Sequence, residues 1–116
     1  MASTKEVLDH HLKCFAEQDM QGALSDYSAD AIVLTPFGAI RGHEAMKPGL
    51  QALLDEFGKP GVSITVKQQC IEGDYAYLVW SAETPDNLYE IGSDTFHVKD
   101  GKIMAQSYVF KVTPKK

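Results

Sequence analysis

The stretch that most constrains this chain is residues 88–112, where two apolar-rich runs flank Lys99-Asp100-Gly101-Lys102. An Asp-Gly pair between two such runs is a strong hairpin signal, because tight β-turns need residues that tolerate positive φ. Register then decides which side chains share a face. A two-residue turn pairs Lys99 with Lys102 and, in an unbroken ladder, sets Asp94 on one face with Ile103, Ala105 and Ser107. A three-residue loop with Gly101 as a bulge sets Asp94, Phe96 and Val98 beside Met104, Gln106, Tyr108 and Phe110 instead, since one slip exchanges the faces of a whole strand. The bulged register is the favoured expectation, because it gathers the large side chains on one face. It also projects a single carboxylate, Asp94, into an aromatic and thioether-lined surface.

Upstream, Ser3-Thr4-Lys5-Glu6 has the form of a capping box and starts a helix near residue 4. Val7, Leu8, His11, Leu12 and Phe15 follow at helical spacing, with Cys14 on the same broad face. Asp19 ends that helix and caps a second, read from Met20 to Tyr27 with Ala23, Leu24 and Tyr27 on one side. Ala31 to Thr35 is a short strand stopped by Pro36, and residues 37–42 read as loop. A third helix carries Ala45, Met46, Leu50, Leu53, Leu54 and Phe57, with a kink or a late start expected at Pro48. Val62 to Cys70 alternates as a half-exposed strand. Tyr75 to Thr84 is apolar on both faces, with Ala76, Leu78 and Trp80 opposite Tyr75, Tyr77 and Val79, so it lies mid-sheet or meets a partner.

Helix, helix, strand, helix and then a four-stranded meander specify an α+β domain. The expected architecture is one domain over residues 1–116: a curved antiparallel sheet wrapped around three N-terminal helices, a cone-like open barrel or cystatin-like α+β roll. Such a sheet leaves a cleft against the first and third helices. The net charge of −5, with no basic stripe, argues against nucleic-acid and acidic-membrane partners. No apolar run of about 18 residues and no leader pattern appear, so a cytoplasmic location is expected. Cys14 and Cys70 are read as free, buried thiols. The four histidines show no His-x-x-x-His spacing and the cysteines no Cys-x-x-Cys, so neither a metal nor a cofactor is expected.

Asp30-Ala31-Ile32-Val33, Pro36-Phe37-Gly38, Gly42-His43-Glu44-Ala45-Met46, Gly73-Asp74 and Phe96 to Ile103, in this order of elements, resemble the nuclear transport factor 2-like superfamily. The resemblance is nearest to its SnoaL-like and ketosteroid isomerase-like branch and covers about residues 4–112. That superfamily hosts isomerases, cyclases, epoxide hydrolases, dehydratases and non-enzymatic binding domains, so fold alone does not name the reaction. In a ketosteroid isomerase a general-base aspartate ends the first strand before a proline; Thr35, ahead of Pro36, stands at that place, and a hydroxyl is no base at neutral pH. Asp94, two residues ahead of Phe96, matches the family's protonated aspartic acid. His11 matches its oxyanion tyrosine, and Phe110 and Tyr27 match aromatics that close the pocket. The resemblance thus implies a retained oxyanion half without the base of steroid isomerisation.

From the residues themselves, Asp94 on a dry aromatic surface would have its pKa raised and serve as general acid or base, with His11 as its partner. The competing reading is a solvated or ion-paired Asp94 and a core His11. Tyr27, Thr35, Phe37, Trp80, Phe96, Gln106, Tyr108 and Phe110 are the expected lining of a site for an apolar small molecule. The function read from this set is acid/base proton transfer by a small pocket enzyme of isomerase, cyclase or hydrolase type. The alternatives are a non-catalytic binding domain and a dimerisation module. A homodimer through the outer sheet face is expected.

Overall fold

The computed structural model describes residues 2–115. Helix α1 (Thr4–Ala16) starts at the capping box, with the Ser3 side chain accepting from the Glu6 backbone and Glu6 returning to the Ser3 N–H. Its apolar stripe buries Val7, Leu8, His11 and Cys14. It stops at Gln18, which takes the left-handed conformation (φ 58°), and the Asp19 N–H bonds back to the Cys14 carbonyl. Helix α2 (Met20–Ser25) is capped by Asp19, as the sequence indicates, but it is shorter than expected.

Strand β1 (Tyr27–Thr35) begins four residues earlier than the apolar run suggests, and Tyr27 belongs to it and not to α2. The cause is tertiary: Tyr27 pairs with Ile103, whose N–H bonds to the Asp26 carbonyl. Strand β2 (Gly38–Arg41) forms where a loop was expected, folding back on β1 around Pro36-Phe37. Helix α3 (His43–Phe57) then runs without interruption through Pro48. Strands β3 (Ser63–Glu72), β4 (Tyr75–Glu83), β5 (Asn87–Lys99) and β6 (Lys102–Pro114) form the expected meander.

The six strands make one curved, unclosed sheet in the order β2-β1-β6-β5-β4-β3, an α+β architecture. The β1–β6 pairing is parallel, so the sheet is not wholly antiparallel. The ladders shift register between Val66 and Gln68 on β3, at Glu90 on β5 and at Met104 on β6. Each extra residue bends its strand and adds twist, which curls the sheet around the helices. Leu8, Leu54 and Ile103 are fully buried where α1 and α3 meet the inner face. Strand β3 is exposed along nearly its whole length, so Cys70 is an exposed free thiol; only Cys14 is buried. Among the described residues no helix is long and apolar enough to cross a membrane.

The hairpin corrects the turn and keeps the face. Asp100 and Gly101 both have positive φ (54° and 75°) and form a two-residue turn that pairs Lys99 with Lys102. The extra residue is Met104 and not Gly101: Val98 pairs with Ile103, and His97 already pairs with Ala105. Val98 and Ile103 are both buried, and the bulge beyond them restores Phe96 and Asp94 to the face of Gln106 and Tyr108.

One polar clamp fixes the far end of α3. Glu56 accepts from Tyr89 Oη (2.6 Å), Asn87 Nδ2 (2.6 Å) and Thr84 Oγ1 (2.8 Å). Burial raises the Glu56 pKa, but these three donors outweigh it and hold the carboxyl below its usual range. Glu56→Ala is expected to cost about 1–3 kcal/mol in urea unfolding, since it strands donors made for a charged acceptor. A depressed folded pKa supplies stability above the unfolded value and loses it on acidification, so the deficit of Glu56→Ala should shrink as pH falls below 4.5.

Candidate functional site

The inner face of the sheet, α1 and α3 enclose a cleft of about 320 Å³. Leu12 and Phe15 of α1, Leu50 and Phe57 of α3, and Leu78 and Phe96 of the sheet supply apolar walls. His11, Tyr27, Trp80, Asp94, Gln106 and Tyr108 are the polar side chains that line it. Asp94 is the one carboxylate in that lining among the described residues.

Asp94 faces the cleft because it alternates with Phe96 and Val98 on β5, and its oxygens are held by two neighbouring strands. Trp80 Nε1 of β4 donates to Oδ2 (2.8 Å), and Gln106 Nε2 of β6 donates to Oδ1 (3.0 Å). The indole can lie against β5 because its cross-strand partner is Gly92, where any Cβ would sit 2.2 Å from the Trp80 ring. Gln106 Oε1 in turn accepts from the Tyr27 hydroxyl. Tyr27 Oη lies 3.3 Å from His11 Nε2, and His11 Nδ1 lies 3.1 Å from Asp26 Oδ2. A continuous chain of polar contacts therefore runs Trp80–Asp94–Gln106–Tyr27–His11–Asp26. His11 does not touch Asp94 as the sequence suggests; two side chains stand between them.

His11 is only 3% exposed and sits among the rings of Phe15, Tyr27 and Phe96. Accepting from Nδ1–H, the Asp26 carboxylate fixes the ring so that Nε2 faces Tyr27. No buried side-chain nitrogen or oxygen among the described residues lacks a partner. Burial pushes the Asp94 pKa up, against the lowering effect of the Trp80 and Gln106 bonds and of His11. Burial, joined by the Asp94 charge, also raises Tyr27 and Tyr108, so both remain hydroxyl donors at neutral pH. The arrangement offers a desolvated carboxyl with fixed donors on one side and an apolar space on the other.

Trp80, Phe96, Gln106, Tyr108, Phe110 and Tyr27 all line the cleft. Two expected lining residues do not. Phe37 is 88% exposed at the tip of the β1–β2 turn. Thr35 braces that turn, accepting from the Phe37 N–H and donating to the Gly38 carbonyl (both 3.0 Å), and borders a shallow depression on the other side of the sheet. A short turn claims the hydroxyl where a longer strand would have aimed it inward. Asp26 is the residue the sequence reading missed. Its position after α2 looks like an ordinary helix terminus, and only the fold places it under His10 and His11. His10, expected in solvent, is half-exposed and bonds Asp26 Oδ1 at 2.7 Å.

A SnoaL-like domain family matches residues 8–106. No curated protein matches the chain by sequence. Among solved structures, an NTF2-like protein from Mesorhizobium loti is 18% identical with a TM-score of 0.77, covering 93% of this chain and 90% of its own. A candidate ketosteroid isomerase from Kribbella flavida is 15% identical with a TM-score of 0.75, covering 97% of this chain and 81% of its own. TerC, crystallised with polyporic acid, is 17% identical with a TM-score of 0.74, covering 95% and 92%. At these identities the likeness is one of fold.

Proposed function

The chain belongs to the SnoaL-like domain family, and we propose that it is a pocket enzyme that moves a proton on an apolar small molecule using its own carboxyl. The observation that carries this reading is Asp94, its carboxyl raised by burial and aimed into an apolar cleft. A carboxylate stripped of water is a stronger base than one in solution, and Trp80 and Gln106 hold it still while it takes the proton. The Tyr108 hydroxyl is the donor on hand for an oxygen that becomes negative in the same step. Asp26 and His11 act through Tyr27 and Gln106, so they are positioning residues. The substrate class is a flat, largely apolar carbon acid, such as a ketone with an acidic α-hydrogen.

A nitrobenzisoxazole tests this directly. Removal of its ring C–H proton breaks the N–O bond and releases a coloured cyanophenolate, with no other reactant needed. Wild-type protein is expected to turn it over, and the Asp94→Asn variant is not. Binding without turnover would favour the second reading, a ligand-binding domain, which the lack of a second carboxylate in the cleft among the described residues supports.

The pocket itself is testable at Gly49 of α3, which lines the cleft and has nothing within 4 Å of a built Cβ. Gly49→Ala should stabilise the helix by roughly 0.5–1 kcal/mol in thermal or urea unfolding and leave turnover intact. Gly49→Phe should keep the fold and raise KM for the probe more than tenfold, as its ring occupies the substrate's space (roughly 1.4 kcal/mol of binding).

The outer sheet face leaves Leu34, Tyr75, Tyr77, Ile91 and Val109 exposed. Exposed apolar side chains on four strands of one face fit a second copy of the chain, so a homodimer through the sheet is part of this reading.

A further inference from the structure

The chain of bonds behind the cleft uses one oxygen of Asp26 and leaves the other turned toward α1. There it meets His10 and Cys14, which the proposed proton transfer does not use. We propose that His10, Cys14 and Asp26 form a zinc-binding site where α1 meets α2, distinct from the cleft but sharing Asp26 with the chain of bonds behind it.

The three donors come from two elements. His10 and Cys14 stand one turn apart on α1, as i and i+4, and so share a face. Asp26 follows α2 as its C-terminal cap. The ligand atoms of all three lie within 4.8 Å of one another. Cys14 Sγ is 3.7 Å from His10 Nδ1 and 3.6 Å from Nε2. A tetrahedral zinc held at ordinary Zn–S and Zn–N lengths sets sulfur and nitrogen about 3.5 Å apart, so thiol and imidazole already stand at the right separation, and the ring need only turn to aim one nitrogen at the ion. The 2.7 Å contact between His10 Nδ1 and Asp26 Oδ1 would open by about half an ångström as the ion enters between them. His10 can make that adjustment because its side chain is half-exposed.

The chemistry of the set selects the ion. A thiolate with an imidazole suits zinc, and magnesium or calcium would require an all-oxygen shell. The fourth position opens to solvent beside His10 and takes a water. Asp19 and Glu17 add negative charge around the thiol, with Lys13 alone opposing them, a field that draws a cation. As a free thiol Cys14 is a poor nucleophile, since burial and these carboxylates raise its pKa. On binding, the Zn–S bond forms and the thiol proton passes to buffer. Asp26 Oδ2 stays on His11 throughout, so the ion and the cleft chain share that carboxylate without competing for an oxygen. Sequence spacing hid the site, because His-x-x-x-Cys supplies only two ligands and the third lies beyond α2.

The test uses tag-free, chelator-stripped protein titrated with zinc against a chromogenic chelator, and then with cobalt. One equivalent of zinc is expected. Cobalt should give the d–d bands of a tetrahedral site together with a thiolate-to-cobalt charge-transfer band. Cys14→Ser should abolish the charge-transfer band, and His10→Ala should weaken zinc more than about a hundredfold, beyond the roughly 10–100-fold that loss of a supporting residue costs. Cys70→Ser, which removes the exposed thiol, should change neither. Far-UV circular dichroism confirms that each variant is folded, and His10→Ala carries the test alone if Cys14→Ser is not. Zinc held no more tightly by wild type than by His10→Ala, or a charge-transfer band lost with Cys70→Ser, would overturn the proposal.

Discussion

Asp94→Asn is expected to lower turnover of the nitrobenzisoxazole by roughly 10²–10⁴-fold, the range that one positioned general base contributes. The same change should raise the melting temperature at neutral pH. An acid whose folded pKa is raised binds its proton more tightly folded than unfolded. Its burial therefore costs stability once pH exceeds the folded pKa, and costs nothing below the unfolded value of 3.8. The amide of the Asp94→Asn variant would keep an acceptor for Trp80 or Gln106 and carry no charge, so the gain should appear at pH 7 and vanish in acid. Loss of activity with a gain in stability separates a working group from a packing residue, which would lose both together. In the wild type the rate should rise with pH through the Asp94 pKa and then level, because the base must be ionised.

Asp26→Ala should act in the opposite sense on stability. It strips the acceptor from a buried imidazole N–H, which costs about 1–3 kcal/mol in urea unfolding. With His11 released, Tyr27 and Gln106 lose the contact that sets their positions, and turnover should fall by about tenfold or more through misplacement of Asp94. Asp26→Asn retains an oxygen for the His11 N–H and should recover most of the stability. If Asp26→Ala melted like wild type, His11 would be held by its aromatic cage alone.

Local physics made much of the fold legible. The capping box, the Asp19 cap and the Asp-Gly turn are decided by neighbouring residues, and each forms where the chain alone places it. The misreadings concern pairings made far along the chain. Ala23, Leu24 and Tyr27 have helical spacing, and nothing local reveals that Tyr27 will pair in parallel with Ile103. Gly38 to Arg41 has no alternation and becomes a strand only because β1 offers it an edge. Local preference puts the bulge at Gly101, the residue most tolerant of it, yet it falls at Met104, where Val98 and Ile103 are buried together. The face is the same because either bulge shifts the ladder by one residue. Asp94, Gln106 and Trp80 are legible as a group since they share strands next to one another. Asp26 is not, because its role depends on where α2 delivers the chain.

The most direct test is a pH titration of the Asp94 side-chain carboxyl, followed by ¹³C NMR in the folded protein and assigned by its absence in Asp94→Asn. A buried carboxyl facing the cleft should titrate with a midpoint above the ordinary aspartate value of 3.8, moving further when an apolar ligand fills the cleft and excludes the remaining water. A midpoint at or below 3.8, unmoved by ligand, would mean a solvated carboxylate and contradict the account.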